Sequence, residues 1–226
     1  MLKIENLHAE VEGKKVLKGI NLEIREGEKH VILGPNASGK SSLAFSILGL
    51  PRYKITEGRI YFMGRDITNL KPEERANLGI ALAFQMPPEI EIKFSDLIRI
   101  IGQKPIKIPE SLENRRLNLG LSGGEKKLSE VLQIIALDPK LAIFDEIEAN
   151  LDLENFEKVL NLIKKEFRKK TCLFITHQEK LLEFVKPDWV EILIDGKIIC
   201  KQRDWKKVLK TIKNFGYEKC KAKKCL

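Results

Sequence analysis

A glycine-rich segment at residues 34–42 has the residue types and spacing that bind phosphate. It reads GPNASGKSS, which fits the pattern G-x-x-x-x-G-K-[ST]. Backbone N–H groups of such a loop, together with the positive end of the following helix, converge on one anion. Lys40 would reach the β- and γ-phosphates of a nucleotide, and the Ser41 hydroxyl would ligate Mg²⁺. The residues of this predicted nucleoside-triphosphate site are Gly34, Pro35, Asn36, Ala37, Ser38, Gly39, Lys40, Ser41 and Ser42.

The alternative is a glycine turn that only joins a strand to a helix. It is disfavoured because an apolar strand pattern, HVIL at 30–33, stands directly before the loop and the context fits on both sides.

Two adjacent carboxylates, Asp145 and Glu146, follow the continuous apolar run LAIF at 141–144. Such a run is typical of a strand buried on both faces of a parallel sheet, and α/β sheets bind ligands at the carboxyl ends of their strands. The two carboxylates would repel each other unless a cation or a proton separates their roles. A solvated strand-end carboxylate is the simpler interpretation of Glu146 alone, and the phosphate loop upstream argues against it.

A second anion-binding position is predicted at Ser122, Gly123 and Gly124. They precede a helical pattern with apolar residues at Leu128, Val131, Leu132 and Ile135. Small residues at a helix N-terminus leave backbone N–H groups free for an anion. An N-cap serine followed by flexible glycines is the alternative.

Four segments follow the phosphate loop in a fixed order, and together they carry a family resemblance. They are ALAFQMPPEI with Gln85, LSGGE at 121–125, LAIFDE at 141–146 and ITH at 175–177. The chain resembles the nucleotide-binding domain of the ABC family along nearly its whole length. This resemblance implies an α/β P-loop fold with an antiparallel β-subdomain and a short helical subdomain, ATP and Mg²⁺ as ligands, and ATP hydrolysis.

The resemblance also implies roles for residues that would be ordinary in isolation. Asp145, Ser41 and Gln85 would hold Mg²⁺, and Glu146 would act as general base on the attacking water. His177 resembles the switch histidine that contacts the γ-phosphate. A loop glutamine and a polar loop histidine are the alternatives for Gln85 and His177 taken alone.

Four residues would act in a dimer if the resemblance holds. Ser122, Gly123 and Gly124 would contact the γ-phosphate bound to the other subunit, and Asp152 would touch that subunit nearby. Each chain alone would then hold half of two sites, and a transient ATP-dependent homodimer is expected.

Strings around these motifs resemble one branch, the SufC-type ATPase subunits of the Suf iron–sulfur cluster assembly system. These strings include NLGLSGGEKK, with glutamate in place of the usual glutamine, and FDEIEANLD, with Glu148 two places after the catalytic glutamate. The resemblance implies a soluble β-helical scaffold as partner.

Three features depart from the family pattern. Ala37 replaces a glycine, which is tolerable only at negative φ, so a slightly changed loop geometry is expected. Near the first strands only His8 and Val11 are available to contact adenine, which predicts weak, mostly apolar base recognition. Only 35 residues separate Gln85 from Leu121, fewer than the helical subdomain of this branch normally needs.

Composition fits one ATPase domain over residues 1–226. A short helical subdomain is expected at 86–124 and a C-terminal helix with a basic tail at 203–226. The chain has 226 residues, of which 43% are hydrophobic, and neither a membrane span nor a secretory signal is recognised. A cytoplasmic location is therefore expected.

Charge and cysteines add little to this prediction. The net charge of +9 comes from lysines spread along the chain, and the run at 164–170 is interpreted as the solvated face of a helix, so no nucleic-acid partner is expected. Cys172 is predicted to lie in the core. Cys220 and Cys225 could form a metal or redox pair, but two ligands in a tail do not support a metal site.

Three hypotheses remain open at this stage. The first is a Suf-type ATPase subunit with a soluble scaffold, and the second is the ATPase subunit of an ABC membrane transporter. The third, a nucleic-acid-associated cassette, is disfavoured because the chain has one cassette, no coiled-coil heptads and no aromatic-basic stripe.

Overall fold

A six-stranded sheet lies at the centre of the computed structural model, which describes residues 1–149 and 151–217. In spatial order its strands are β12 (Lys197–Gln202), β11 (Trp189–Ile194), β3 (Lys29–Leu33), β10 (Thr171–Thr176), β9 (Leu141–Asp145) and β6 (Ile80–Ala83). Neighbouring strands from β11 to β6 pair in parallel, and β12 pairs antiparallel with β11 at one edge. Every residue of β9 and β10 is buried, as expected of strands covered on both faces.

A four-stranded antiparallel sheet forms a second layer. Its strands, in spatial order, are β2 (Lys14–Ile24), β1 (Leu2–Val11), β4 (Lys54–Phe62) and β5 (Arg65–Asp66). The strands β1 and β2 have 10 and 11 residues. Gly13 and Gly27 lie in turns, whereas Gly58 lies inside β4.

Gly58 is required by a close approach of β1. A Cβ atom there would lie 2.3 Å from the Asn6 carbonyl oxygen, and the φ of Gly58 is +87°. The pairing of β1 with β4 shifts register at this point, between Glu5 and His8. Gly58 therefore accommodates a bulge between two strands.

Helices cover both faces of the central sheet. They are α1 (Lys40–Leu48), α2 (Pro72–Asn77), α3 (Phe94–Ile101), α4 (Glu110–Glu113), α5 (Gly123–Leu137), α6 (Leu153–Glu166), α7 (Leu181–Val185) and α8 (Trp205–Phe215). Along β9, Ala142 and Phe144 join a core with buried residues of α5, α6 and α8. Leu141 and Ile143 join a second core with α1 and the antiparallel sheet. The chain is therefore a three-layer α/β structure whose alternating strand residues serve two cores.

Helix α6 buries one apolar face against the core. Val159, Leu160, Ile163 and the C-cap residue Phe167 are buried. Leu153 does not belong to that face, because it is the first residue of the helix and is 71% exposed.

The segment between Gln85 and α5 contains little helix. Its strands β7 (Ile90–Lys93) and β8 (Arg116–Leu117) pair antiparallel around α3 and α4. Four large apolar side chains of this segment are exposed, namely Met86, Ile90, Ile100 and Leu119.

Within the described residues, we find no helix whose length and apolarity would let it cross a bilayer.

Candidate functional site

The carboxyl ends of four parallel strands meet at one edge of the central sheet. The register places Leu33 beside Thr176, Asp145 beside Ile175 and Phe144 beside Ala83. Segments that follow these strands therefore emerge side by side, which is where open α/β sheets bind ligands. This edge gathers the glycine-rich loop, Gln85, Glu146 and His177.

The glycine-rich loop is packed against backbone from distant parts of the chain. A Cβ atom on Gly34 would lie 2.1 Å from the Leu193 carbonyl oxygen. One on Gly39, whose φ is +104°, would lie 2.9 Å from the Val16 carbonyl oxygen. Both positions therefore require glycine, and the loop is held in shape by β11 and β2.

Lys40 lies beneath this loop with its ammonium group already hydrogen-bonded. Its Nζ donates to the carbonyl oxygens of Gly34 at 3.0 Å and Pro35 at 2.9 Å. Burial lowers the pKa of Lys40, and the nearby carboxylates of Glu146 and Asp145 act in the opposite direction. A bound phosphate would replace two neutral acceptors with anionic ones.

Ala37 does not have the negative φ that was expected to make alanine tolerable at this position. Its φ is +60°, so alanine adopts the left-handed conformation, and its side chain is exposed. A non-glycine residue pays roughly 1–2 kcal/mol for this conformation. The loop therefore keeps a left-handed turn at this position despite the methyl group.

Glu146 is the meeting point of three side chains that are far apart in sequence. Its Oε2 accepts a hydrogen bond from Gln85 Nε2 at 2.5 Å, and its Oε1 lies 3.1 Å from His177 Nδ1. Because a carboxylate can only accept, Nδ1 is the protonated nitrogen of this ring. His177 directly follows β10. The arrangement fixes the carboxylate at the mouth of the glycine-rich loop.

Asp145 is fully buried, and neither of its carboxylate oxygens makes a hydrogen bond of ordinary geometry among the described residues. Burial raises the pKa of Asp145 to about 6, against the effect of the neighbouring Ser41 hydroxyl. A buried carboxylate without a partner is costly unless a cation approaches it. Oxygen ligands from a carboxylate, a hydroxyl and an amide are those that Mg²⁺ prefers, so Asp145, Ser41 and Gln85 fit this ion.

Glu148 is a further buried carboxylate beside the site. It accepts a hydrogen bond from the Thr176 hydroxyl, which itself accepts the Gln178 N–H at 2.8 Å. Burial raises the pKa of Glu148, and the Thr176 hydroxyl opposes this effect. The contact holds the segment after β9 against the segment that carries His177.

A cavity of about 890 Å³ lies at this edge of the sheet. Of the residues predicted from sequence, its walls contain Asn36, Ala37, Ser38, Gly39, Lys40, Ser41, Ser42, Gln85, Glu146 and His177. Its size is in the range of small-molecule and cofactor sites.

Several lining residues have no counterpart among the predicted ones. They are Lys15, Val16, Lys18, Glu148, Ala149, Leu151, Gln178, Asp195 and Gly196. Gly196 also donates its N–H to the Ser38 carbonyl oxygen at 2.9 Å. Within this group, the sequence marks Asp195 and Gly196, because an Asp-Gly pair is typical of a turn.

Val16 and its neighbours on β2 form one side of the cavity, and no residue of β1 lines it among the described residues. Val16 lines the cavity, whereas His8 is directed to Asn6 and Glu57 on the antiparallel sheet. Neither His8 nor Val11, the residues expected near adenine, lines this cavity. No Phe, Tyr or Trp side chain of the described residues lines this cavity.

A family model described as ABC transporter matches residues 17–149, which is more than half of the chain. The chain belongs to the ABC transporter family. As a member it is an ATP-hydrolysing domain.

Curated ABC proteins resemble the chain over most of their length. A probable ATP-dependent transporter SufC of Escherichia coli (strain K12) is 35% identical, covering 96% of this chain and 97% of that protein. A probable ATP-dependent transporter ycf16 of Cyanidium caldarium is 43% identical, covering 88% and 89%. A probable ABC transporter ATP-binding protein of Streptococcus pyogenes serotype M3 is 39% identical, covering 88% and 87%.

Solved ABC cassettes confirm the expected fold class. An ATP-binding cassette of an ABC transporter superposes with a TM-score of 0.76 at 29% identity, covering 94% of this chain and 96% of that one. A dimeric bacterial ABC transporter cassette superposes with a TM-score of 0.77 at 24% identity, covering 90% and 98%.

Four residues that the family resemblance assigns to a dimer lie outside the cavity of this chain. Ser122 caps α5, where its hydroxyl accepts the Glu125 N–H at 3.3 Å in a capping box. Asp152 caps α6 by accepting the Asn155 N–H at 2.8 Å. Neither residue, nor Gly123 or Gly124, lines the nucleotide cavity. The single chain therefore does not bring these four residues to its own phosphate loop.

Among the cysteines, Cys172 is buried in the core, and burial raises its pKa to about 12. Cys220 and Cys225, for which no metal site was predicted, lie outside the described residues.

Proposed function

We propose that this chain is the ATPase subunit of an iron–sulfur cluster assembly system. ATP binding closes two copies face to face, and closure changes the conformation of a soluble scaffold protein. The observation that carries the catalytic part is the meeting of Gln85, Glu146 and His177 beside the glycine-rich loop in one cavity.

Phosphate binding is assigned to the glycine-rich loop and Lys40. The Lys40 ammonium leaves the carbonyl oxygens of Gly34 and Pro35 and turns to the β- and γ-phosphates. Amides at the start of α1 have no partner within the helix and point toward the same anion. The buried position of Lys40 strengthens its attraction to the developing negative charge.

Water activation is assigned to Glu146. Its carboxylate takes a proton as the water oxygen bonds to the γ-phosphorus and the bond to the β-γ bridging oxygen breaks. His177 donates through Nδ1 to Glu146 at 3.1 Å and so holds the carboxylate in orientation. Gln85 holds the other carboxylate oxygen at 2.5 Å.

Mg²⁺ is proposed to be held by Asp145, Ser41 and Gln85. The fit rests on the two buried oxygens of Asp145, which make no hydrogen bond of ordinary geometry among the described residues. When bound, the ion neutralises phosphate charge.

A dimer is proposed because the chain's own cavity lacks Ser122, Gly123, Gly124 and Asp152. Helix α5 begins at Gly123, so its N-terminal amides are available to an anion outside this chain. The exposed Leu153 stands next to Asp152 and offers apolar contact there. A second copy, turned by a two-fold axis, would supply these groups to the nucleotide.

The Suf assignment is supported by the motif-flanking strings and by the similarity to the Escherichia coli SufC protein along nearly the whole of both chains. A membrane-transporter motor is the second candidate, because the similar Streptococcus pyogenes protein is named a probable ABC transporter ATP-binding protein. Both share the same catalysis and differ in partner.

Affinity purification of the tagged chain separates these candidates. We expect a soluble partner of β-helical type to co-purify from the soluble fraction of its native cells, with identification by mass. Detergent-solubilised membranes are processed in parallel, and a Lys40→Ala variant reports which partners depend on nucleotide. Recovery of a polytopic membrane protein instead would overturn the Suf assignment and leave the ATPase activity intact.

A further inference from the structure

Two charged side chains of α5 hold the backbone of Phe84, the residue directly before Gln85. Lys127 Nζ donates to the Phe84 carbonyl oxygen at 2.7 Å. The Phe84 backbone N–H acts as donor to the Glu130 carboxylate. Lys127 and Glu130 are three residues apart on α5 and therefore lie on one side of the helix. Both the carbonyl group and the N–H group of Phe84 are thus hydrogen-bonded to side chains of α5.

These two side chains are buried despite their charges. Lys127 is 2% exposed and Glu130 is 6% exposed, and Oε2 of Glu130 has no partner among the described residues. Burial lowers the pKa of Lys127 and raises that of Glu130 to about 7. Because taking charged side chains out of water costs energy that their mutual attraction does not reliably return, this pair of side chains is a poor source of stability. A role in fixing the position of the Phe84 backbone explains better why Lys127 and Glu130 are buried here.

Phe84 also joins α5 to the other parts of the nucleotide site. Its ring stacks on Phe45 of α1, with ring centroids 6.0 Å apart. The next residue, Gln85, holds Glu146 through the hydrogen bond described above. A continuous line of contacts therefore runs from α5 through Phe84 and Gln85 to the Glu146 carboxylate.

We propose that Lys127 and Glu130 are positioning residues that make the placement of Gln85 and Glu146 follow the placement of α5. This inference rests on the proposed dimer, in which the N-terminus of α5 contacts the nucleotide of the second copy. When the N-terminus of α5 contacts the nucleotide of the second copy, α5 then fixes the position of the Glu146 carboxylate. This carboxylate activates water at the chain's own nucleotide site. The two sites are coupled in energy through this contact, with the reciprocity that linkage requires.

Lys127→Met tests the inference, because it removes the donor and keeps the length of the side chain. We expect kcat for ATP hydrolysis to fall on the order of tenfold to a hundredfold, with KM for ATP changed less than about threefold. Cooperativity of hydrolysis with ATP concentration should also fall toward a Hill coefficient of one. Lys126→Met is the matched control, because the neighbouring Lys126 pairs with the half-exposed Glu89 at 2.8 Å, and it should leave both parameters unchanged.

Two substitutions at Glu130 separate positioning from folding. Glu130→Gln keeps an acceptor for the Phe84 N–H and should retain most of kcat, whereas Glu130→Leu removes it and should lower kcat. Since Lys127→Met leaves Glu130 without its counter-charge, the double variant Lys127→Met with Glu130→Gln checks that the loss persists when no buried charge is left unpaired.

Hydrogen exchange at the amides of Phe84 and Gln85 gives a readout of the contact itself. We expect faster exchange in Lys127→Met and unchanged exchange in Lys126→Met. A folded Lys127→Met protein with unchanged kcat, or with loss of kcat but parental exchange at these amides, would overturn the positioning role. Absence of hydrolysis by the parent protein would instead defeat the proposed function, so the two failures are distinguishable.

Discussion

At the scale of single residues, Glu146 is the most constrained side chain of the site. Its φ is +45°, a conformation that a non-glycine residue rarely adopts, and its N–H donates to the Ile175 carbonyl oxygen at 2.9 Å. Its two carboxylate oxygens are held by Gln85 and His177. Backbone strain of this kind persists where the surrounding structure determines the conformation, and it is concentrated at functional sites. The strain therefore supports a catalytic role for this carboxylate.

Glu146→Gln should keep nucleotide binding and abolish turnover. The amide retains the size of the side chain but cannot accept a proton, so we expect kcat to fall at least about a hundredfold. Sedimentation at saturating MgATP should then show a trapped dimer. Lys40→Ala is the control that should lose nucleotide binding itself. A strictly monomeric Glu146→Gln protein under these conditions would count against the composite site.

Glu130 should make stability depend on pH. Its pKa is raised to about 7 in the folded protein from an ordinary 4.5, so folding favours the protonated form. For such an acid the stabilisation is complete below the unfolded pKa and is lost as pH rises through the folded pKa. The free energy of unfolding of the parent should therefore decline between about pH 4.5 and 7.5 relative to Glu130→Gln, by roughly 3 kcal/mol.

Urea denaturation of the two proteins at several pH values measures this difference. Contributions from Asp145, whose pKa is also raised by burial, are present in both proteins and cancel. A difference that stays constant across this range would show that Glu130 does not titrate there.

At the scale of helices and strands, most of the site-forming geometry was open to prediction. The apolar run at 141–144 and the strand before the glycine-rich loop indicated buried parallel strands, and their carboxyl ends do meet at one edge. This prediction succeeds because hydrophobic runs and glycine spacing are local signals. Hydrogen bonding of Gln85 and His177 to one carboxylate was not derivable from periodicity alone.

Other features depended on packing between distant segments and escaped prediction. Val16 lines the cavity only because β2 lies beside the loop, and nothing local in the sequence marks it. Glycine is typical of turns, but Gly58 lies in a strand, where β1 approaches its backbone. Lys127 resembled part of a motif-flanking lysine pair, while its contact with Phe84 depends on how α5 packs on β6.

Phe144 should be the residue through which β9 contributes most to stability. Its ring stacks on Phe174 with centroids 5.0 Å apart and meets Phe167 edge-on at 5.4 Å. Phe144→Ala leaves a cavity between the sheet and α6 and should lower the free energy of unfolding by about 3–5 kcal/mol. Ile100→Ala, at a residue that is 72% exposed, should change it by less than about 0.5 kcal/mol. Thermal and urea unfolding measure both values, and equal effects would contradict the assigned core.

At the scale of the whole molecule, the proposed dimer predicts complementation between two inactive proteins. Ser122→Arg blocks the groups supplied to the partner, and Lys40→Ala disables the chain's own phosphate loop. In an equal mixture about half of the dimers are mixed, and each mixed dimer has one intact composite site. Up to about a quarter of the parental activity should therefore return on mixing.

The mixing experiment has an internal control. A protein carrying both substitutions, mixed with either single variant, forms no dimer with an intact site and should stay inactive. Failure of the first mixture to recover activity, with mixed dimers demonstrated by sedimentation, would argue for sites complete within one chain.

The packing of the glycine-rich loop also constrains when the protein can first bind nucleotide during its synthesis. The strand before the loop, β3, pairs only with β10 and β11 among the described strands, and both are made much later on the ribosome. Leu193, which is part of β11, and Gly196 brace the loop and are also made late. A nascent chain ending before these residues has the whole phosphate-binding motif but no sheet to hold it. Such long-range pairing is slow to form, so ATP would act on a nearly complete polypeptide, as a ligand that stabilises late folding rather than one that starts it.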